Sequence, residues 1–218
     1  MRSKNLGDIM NASELLKRYA AGERDFVGVQ LQGAYLTEAI LIGADLRQAD
    51  LSGANLSGAN LKGANLSDAD LRNANLSVAD LGGADFSDAN LQQTNLRQAN
   101  LPEASLKRAN LVAVNFREAN LMFANLSMAN LYQADLHGAT LYQAILHRAI
   151  LQDADLIGAI LQGADLRGAD LSRACLIRAD ISRAILIAAD LKGATLLGAN
   201  LKGTVLTGAI LPDGKMQN

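Results

Sequence analysis

Few side chains in this sequence could do covalent chemistry. His137 and His147 are the only histidines, and Cys175 is the only cysteine. A nucleophilic relay or a metal centre would need one of these histidines beside a nucleophile, a carboxylate or a second ligand. Carboxylates are more plentiful, and they recur at one spacing: Asp45, Asp50, Asp70 and Asp80 each stand directly before a leucine. Glycines are frequent too, but a phosphate-binding loop needs glycines between a strand and a helix. Whether any of these groups meet depends on the element that carries them.

That element is a short phrase repeated without a break. Ala44-Asp45-Leu46-Arg47-Gln48-Ala49-Asp50-Leu51-Ser52-Gly53-Ala54-Asn55-Leu56 is the pattern Ala-Asp/Asn-Leu-x-x said over and over. Every fifth residue from Phe26 to Leu211 is a large hydrophobe, always Leu except at Phe26, Phe86, Phe116 and Ile181. Two places before it, from Ala34 to Ala209, the residue is Ala except at Thr94, Val114 and Thr204. Internal repeats of this strictness take precedence over any other reading.

A period of five suits neither a helix nor a plain strand. It suits two or three extended residues followed by a corner. The Ala and the Leu lie two apart, so they point the same way, inward. The Asp/Asn between them and the residue after the Leu point outward. The corner then falls on the two residues after each Leu. Both prolines, Pro102 and Pro212, take the first corner place, and most of the 19 glycines take the second. That is the preference of a type II turn, whose third residue needs positive φ. Where the second place is not Gly, as at Glu38, Asp88 and Arg148, another turn type is expected. Four corners close a square, so one coil takes 20 residues. Stacked at about 4.8 Å, residues 26–213 make about nine coils and a rod about 45 Å long.

This lattice separates the candidate chemistry. His137 and His147 lie ten residues apart, hence on opposite sides of the square. A shared metal or a relay between them is excluded on that geometry, and Cys175 has no histidine near it. The glycines recur at turns, not between a strand and a helix. A bore filled by Leu and Ala leaves no pocket. The regular acids are read as outward repeat positions whose short side chains bond to nearby backbone and form ladders along the rod. The expectation is a protein that is not an enzyme and has no cofactor or metal.

The A(D/N)LXX phrase resembles that of the pentapeptide-repeat family, over about 85% of the chain and without insertion. The resemblance implies an all-β fold, a right-handed quadrilateral β-helix. Handedness comes from the resemblance alone. The segments Tyr19-Ala20-Ala21-Gly22-Glu23-Arg24-Asp25-Phe26 and Gly208-Ala209-Ile210-Leu211-Pro212-Asp213-Gly214 further resemble the ends of cyanobacterial members, one of which regulates heterocyst differentiation. Some members bind gyrase by mimicking DNA. That role needs a dense acidic surface, and outward corner acids here are few (Glu38, Asp68, Asp88, Glu103, Glu118, Asp153 and Asp213), with Lys and Arg between them.

The chain of 218 residues is 50% hydrophobic with net charge −2, which implies no bulk attraction to nucleic acid. It has no apolar run of the roughly 18 residues that suggest a membrane span, and no apolar signal core follows Met1-Arg2-Ser3-Lys4, so the cytoplasm is the expected location. Residues 1–25 read as a lead-in and capping helix, 26–211 as the β-solenoid and 212–218 as a tail. Within the first part, Asn11-Ala12-Ser13-Glu14 has the spacing of a capping box and Gly22 is a stop signal, which predicts a helix over 12–21 lying across the first coil.

Outward positions are regular and polar to about residue 105 and turn apolar after Leu111. Met122, Phe123, Tyr142 and Ile160 fall on one face, and Met128, Ile145, Ile185 and Ile187 on the next. Tyr132 and Ile150 are also outward, and Ile157, Ile177 and Leu197 form a separate ladder. Met122, Phe123, Met128, Tyr132, Tyr142, Ile145 and Ile160 are the candidate partner-binding residues, since exposed apolar patches mark contacts. Arg148, Arg167, Arg173, Arg178 and Arg183 read as a solvated surface opposed by Asp153, Asp165, Asp170 and Asp180. The function expected is a protein-protein interaction scaffold or regulator with an unidentified protein partner, neither nucleic acid nor membrane. A DNA-mimicking gyrase binder and a purely structural rod are the alternatives. The tail is too short to cross the last coil, leaving edge groups open around Thr204 to Leu211. A monomer is expected, with weak end-to-end pairing at the C-terminus as the alternative.

Overall fold

The structure is a computed structural model and describes residues 10–217. Of the lead-in and capping helix expected over residues 1–25, residues 1–9 lie outside these, as does Asn218 of the tail. From Asp25 onward every parallel bridge joins a residue to the one twenty places later: Asp25 to Asp45, Asp45 to Asn65, Asn65 to Asp85. One circuit of the chain therefore takes four repeats. Each wall gives one bridging residue per coil, the residue before the Leu, most often Asp or Asn.

The hydrogen bonds explain why the register is kept. The Leu46 amide donates up to the Asn65 carbonyl (2.7 Å), and the Gly53 amide to the Arg72 carbonyl (2.8 Å). The Asn65 amide donates down to the Ala44 carbonyl (2.9 Å), and Ala49 closes its turn on Leu46 (3.1 Å). Deleting one residue would misplace all four types of bond beyond that point. The bore is apolar throughout its length, with Leu and Ala almost wholly excluded from solvent from Leu41 to Leu191. Thr94 replaces an Ala inside and satisfies its hydroxyl by donating to the Leu71 carbonyl (2.7 Å).

One expectation about the corners is overturned. From Gly28 to Gly208 the second corner residue has positive φ in every repeat, whether or not it is Gly. Glu38, Asp88 and Arg148 sit at φ 57°, 61° and 55° like their glycine counterparts. The turn is clamped by its own closing bond and by amide bonds to the coil above, so the lattice imposes one conformation on all residue types. An L-residue there is strained, and β-branched Val78 at φ 58° most of all.

The two ends differ. Helix α1 spans Ala12–Ala20, one residue shorter than expected, with Asn11 as N-cap accepting from the Glu14 amide (2.9 Å). Its Leu15 is fully buried, and Leu16 and Tyr19 pack against the core. Tyr19 Oη donates to the Ile42 carbonyl (2.9 Å), which ties the helix to the first full coil. At the other end the tail folds back antiparallel, Ile210 facing Met216, with Gly208 donating to the Gln217 carbonyl (2.7 Å). The edge at residues 208–211 is thus closed, contrary to expectation. The open edge lies earlier: among the described residues, the amides of Leu196, Gly198, Leu201, Gly203 and Leu206 have no partner. Leu201, an inner leucine, is 36% exposed because nothing is stacked on it.

Candidate functional site

Outward side chains follow simple local rules. Most of the Asp and Asn residues before a Leu accept at Oδ1 from the amide two residues later, as Asn55 does from Ser57 (3.1 Å) and Asp170 from Ser172 (2.9 Å). Where asparagines stack, they also bond between coils: Asn95 to Asn75 (3.0 Å) and Asn120 to Asn100 (2.9 Å). These polar groups are consumed by the fold. Where the repeat has an Asp, an Arg directly after the Leu pairs with it, as in Arg47–Asp45 (2.6 Å) and Arg167–Asp165 (2.5 Å); Arg117, whose repeat has Asn115, pairs instead with Asp135 of the next coil (3.2 Å). The Arg167 guanidinium holds the Asp165 carboxyl below the usual carboxylate range, and Arg72 does the same for Asp70.

The histidines stand on opposite walls, His137 one place after Leu136 and His147 one place after Leu146. Their walls are those of the Asp135–Asp155 and Ile145–Asp165 bridges. Among the described residues, no group of three or more His, Cys, Asp or Glu is placed to hold a metal ion. No helix of the described residues is long and apolar enough to cross a membrane.

The seven candidate partner-binding residues are all outward but are not one contact cluster. Phe123 and Tyr142 do meet: their ring centroids lie 5.6 Å apart, edge to face, and the Phe123 amide donates to the Tyr142 carbonyl (3.0 Å). Met122 lies one coil below Tyr142 on the same wall, and Ile160 stacks over Thr140 there. Phe123 forms the corner to the next wall, where Ile145 bridges Asn125, and Met128 forms the corner after that. Tyr132 lies beyond this second corner, on the wall where Ile150 bridges Asn130. Phe123 and Met128 are 44% and 50% exposed, while Met122, Tyr132 and Tyr142 are half-buried between stacked neighbours.

Two features escaped the sequence reading. The early coils are not uniformly polar outside: Tyr35 is 82% exposed, Ile40 60% and Val78 62%. Tyr35 belongs to the first coil, and the residue twenty places before it is Leu15 in α1, so no wall neighbour lies beneath it. The second feature is charge. Between Glu118 and Asp153 only Asp135 and Arg148 are charged with histidine neutral, in a chain that is otherwise richly charged. A count of charge per coil, instead of a search for apolar residues, would have found this belt. It winds round the rod at the height of Phe123 and Tyr142.

Comparison with known proteins places this lattice. No curated protein matches the chain in sequence. The crystal structure of HetL, a pentapeptide repeat protein involved in heterocyst differentiation regulation from the cyanobacterium Nostoc sp. strain PCC 7120, is similar at 40% identity. That match covers 95% of this chain and 100% of HetL, with a TM-score of 0.54. A pentapeptide repeat protein, Rfr23, from the cyanobacterium Cyanothece 51142 is 39% identical over 45% of this chain and 64% of its own (TM-score 0.29). QnrB1, a plasmid-mediated fluoroquinolone resistance protein, is 22% identical over 84% of this chain and 85% of its own (TM-score 0.36). The description "Pentapeptide repeats" fits eight overlapping stretches: residues 30–68, 49–88, 64–101, 79–117, 99–138, 115–153, 149–186 and 184–218. The chain therefore belongs to the pentapeptide-repeat family, with the right-handed quadrilateral β-helix that its repeats imply.

Proposed function

We propose that this protein is a non-enzymatic interaction scaffold or regulator that binds another protein through the belt around Phe123 and Tyr142. The observation that carries the reading is the near-absence of charge between Glu118 and Asp153 where exposed Phe and Met collect. Protein interfaces are depleted of Lys, Glu and Asp at their centres and enriched in aromatic residues, Met and Arg. The belt has that composition, and the coils on either side do not. The likeness to HetL, which is involved in heterocyst differentiation regulation, favours a regulator over an inert rod. Gyrase binding by DNA mimicry is disfavoured, because a dense acidic surface is what the belt lacks.

The protein acts in the cytoplasm on this reading, as a monomer, and takes neither nucleic acid nor membrane as its partner. Lys202 and Pro212 near the open last coil are the residue types that blunt an exposed edge. Sedimentation at two concentrations tests the monomer: a mass near twice 23.0 kDa that halves on dilution overturns it. The binding surface is tested by affinity capture from the source cell with Phe123→Glu and Tyr35→Glu as paired controls. A protein held by the wild type and by Tyr35→Glu, but lost by Phe123→Glu with an unchanged circular dichroism spectrum, supports the belt. Every partner surviving Phe123→Glu removes it.

A further inference from the structure

Arginine pairing on this rod depends on position in the repeat. An Arg directly after the Leu takes the Asp of its own repeat where there is one, and otherwise an acid of the next coil, as Arg117 takes Asp135. An Arg at the second corner place takes an acid one coil below: Arg108 pairs with Asp88 (2.5 Å) and Arg173 with Asp153 (2.7 Å). Arg148, Arg178 and Arg183 occupy that same corner place, but Met128, Gly158 and Gly163 lie one coil below them. Among the described residues their side chains have no hydrogen bond or ion pair. Asp180 lies close in sequence to both Arg178 and Arg183. Arg148 differs, because the stretch from Leu136 to Gln152 contains no carboxylate at all. Its neighbours in its own coil and the coil below are apolar: Met128 beneath it, with Ile145 and Ile150 three places before and two after, 39% and 41% exposed, while Asp165 and Asp170 stack over Ile145 and Ile150 in the coil above.

We infer that the partner's contacting segment carries a carboxylate among apolar residues, and that Arg148 receives this carboxylate. The inference rests on the belt being the binding surface. A guanidinium offers a planar fork that matches a carboxylate with two hydrogen bonds, and it is the cation best suited to an apolar interface. The nearby acids of its own chain are engaged elsewhere, Asp165 by Arg167 and Asp170 by the Ser172 amide, so the complementary charge is left for the partner. The occupant is a protein segment and not a lipid surface, because Phe123, Met128 and Ile150 follow one another round two corners. A flat bilayer would meet one wall at a time.

The test pans a displayed library of random short peptides against the full chain. A selected peptide is then titrated by fluorescence anisotropy against Phe123→Glu, Arg148→Gln, Arg148→Lys and Arg183→Gln. Selected peptides are expected to contain Asp or Glu flanked by aliphatic or aromatic residues. Arg148→Gln should weaken binding about tenfold, the scale of one charged hydrogen bond. Arg148→Lys should restore only part of this, and Arg183→Gln should change nothing. Circular dichroism of each variant shows that the rod is intact, as these side chains are exposed. Peptides lost by Phe123→Glu but indifferent to Arg148 would overturn the carboxylate inference and leave the belt standing. Finding no peptide that depends on Phe123 would remove both. Binding to phosphatidylglycerol vesicles that depends on Arg148, with no such peptide, would replace the protein segment by a lipid surface.

Discussion

Two stretches of the rod, residues 61–100 and 119–152, are alike inside and unlike outside. Leu71 and Leu131 are equally buried, and so are the Ala residues two places before each Leu, Thr94 excepted. The first stretch has Lys62, Asp68, Asp70, Arg72, Asp80, Asp85, Asp88 and Arg97 on its surface; the second has Asp135 and Arg148. The backbone ladder is the same through both. Outer side chains therefore contribute little to specifying the fold, and the lattice tolerates wide variation in what it displays. Interior and turn are common property of every coil, and the exterior is where one coil differs from another.

The hardest test of this likeness is a charge inside. Leu71→Lys and Leu131→Lys should both abolish cooperative folding, since each buries an unpaired ammonium in an apolar bore. Tyr132→Lys, one residue away, should melt within a few degrees of wild type. Equal melting of Leu131→Lys and Tyr132→Lys by circular dichroism would break the division into inside and outside.

Register comes next. One extra residue after Gly83 should be far more damaging than five, because five restore the corner phase while one misplaces every later Leu. Thermal melts of the two insertion variants decide it, and comparable losses would contradict the ladder.

Corner strain should be a smaller effect. Val78→Asn should raise stability by about 1 kcal/mol, since Asn tolerates positive φ and a β-branched residue does not. The matched change Gly138→Val in the belt should lower it by a similar amount. Denaturant midpoints measure both.

The smallest effect is electrostatic and should be confined to the charged stretch. Arg72 depresses the Asp70 carboxyl, so the folded state holds its proton less tightly than the unfolded state. The pair then stabilises above the ordinary carboxylate range and loses that contribution as pH falls through the depressed value. Being largely exposed, the pair is screened by water and its contribution is small. Asp70→Asn should narrow the gap in melting temperature between neutral and acid pH, whereas Asn130→Ala, which removes no carboxylate, should leave it unchanged.

The inner half of this architecture was legible from residue types alone. The Leu and Ala spacing assigned every buried wall position, and Pro102 with the glycines located the corners. The conformation at Glu38 or Arg148 was not legible, because local preference argues against positive φ there and stacking overrides it. Exposure of Tyr35 depends on the absence of a coil beneath, which no repeat phrase records. The antiparallel return of the tail at Ile210–Met216 likewise lies beyond the repeat. The candidate surface was half legible: its apolar members stood out as deviations, while its missing charges are an absence spread over two coils.

The constant pairing of each residue with the one twenty places on turns residue number into a postal address. The remainder after division by twenty gives the compass bearing of a side chain, and the quotient gives its altitude, about 4.8 Å per storey. Phe123 stands about five storeys, or some 23 Å, above the first coil. Adding a whole storey below would lift it without rotation. Adding a single repeat would turn it through a quarter circle at nearly the same altitude. A partner that grips the belt and an end of the rod together would thus read chain length as a distance and repeat count as an angle. Those two quantities can be varied independently by inserting repeats, without altering any side chain that makes contact.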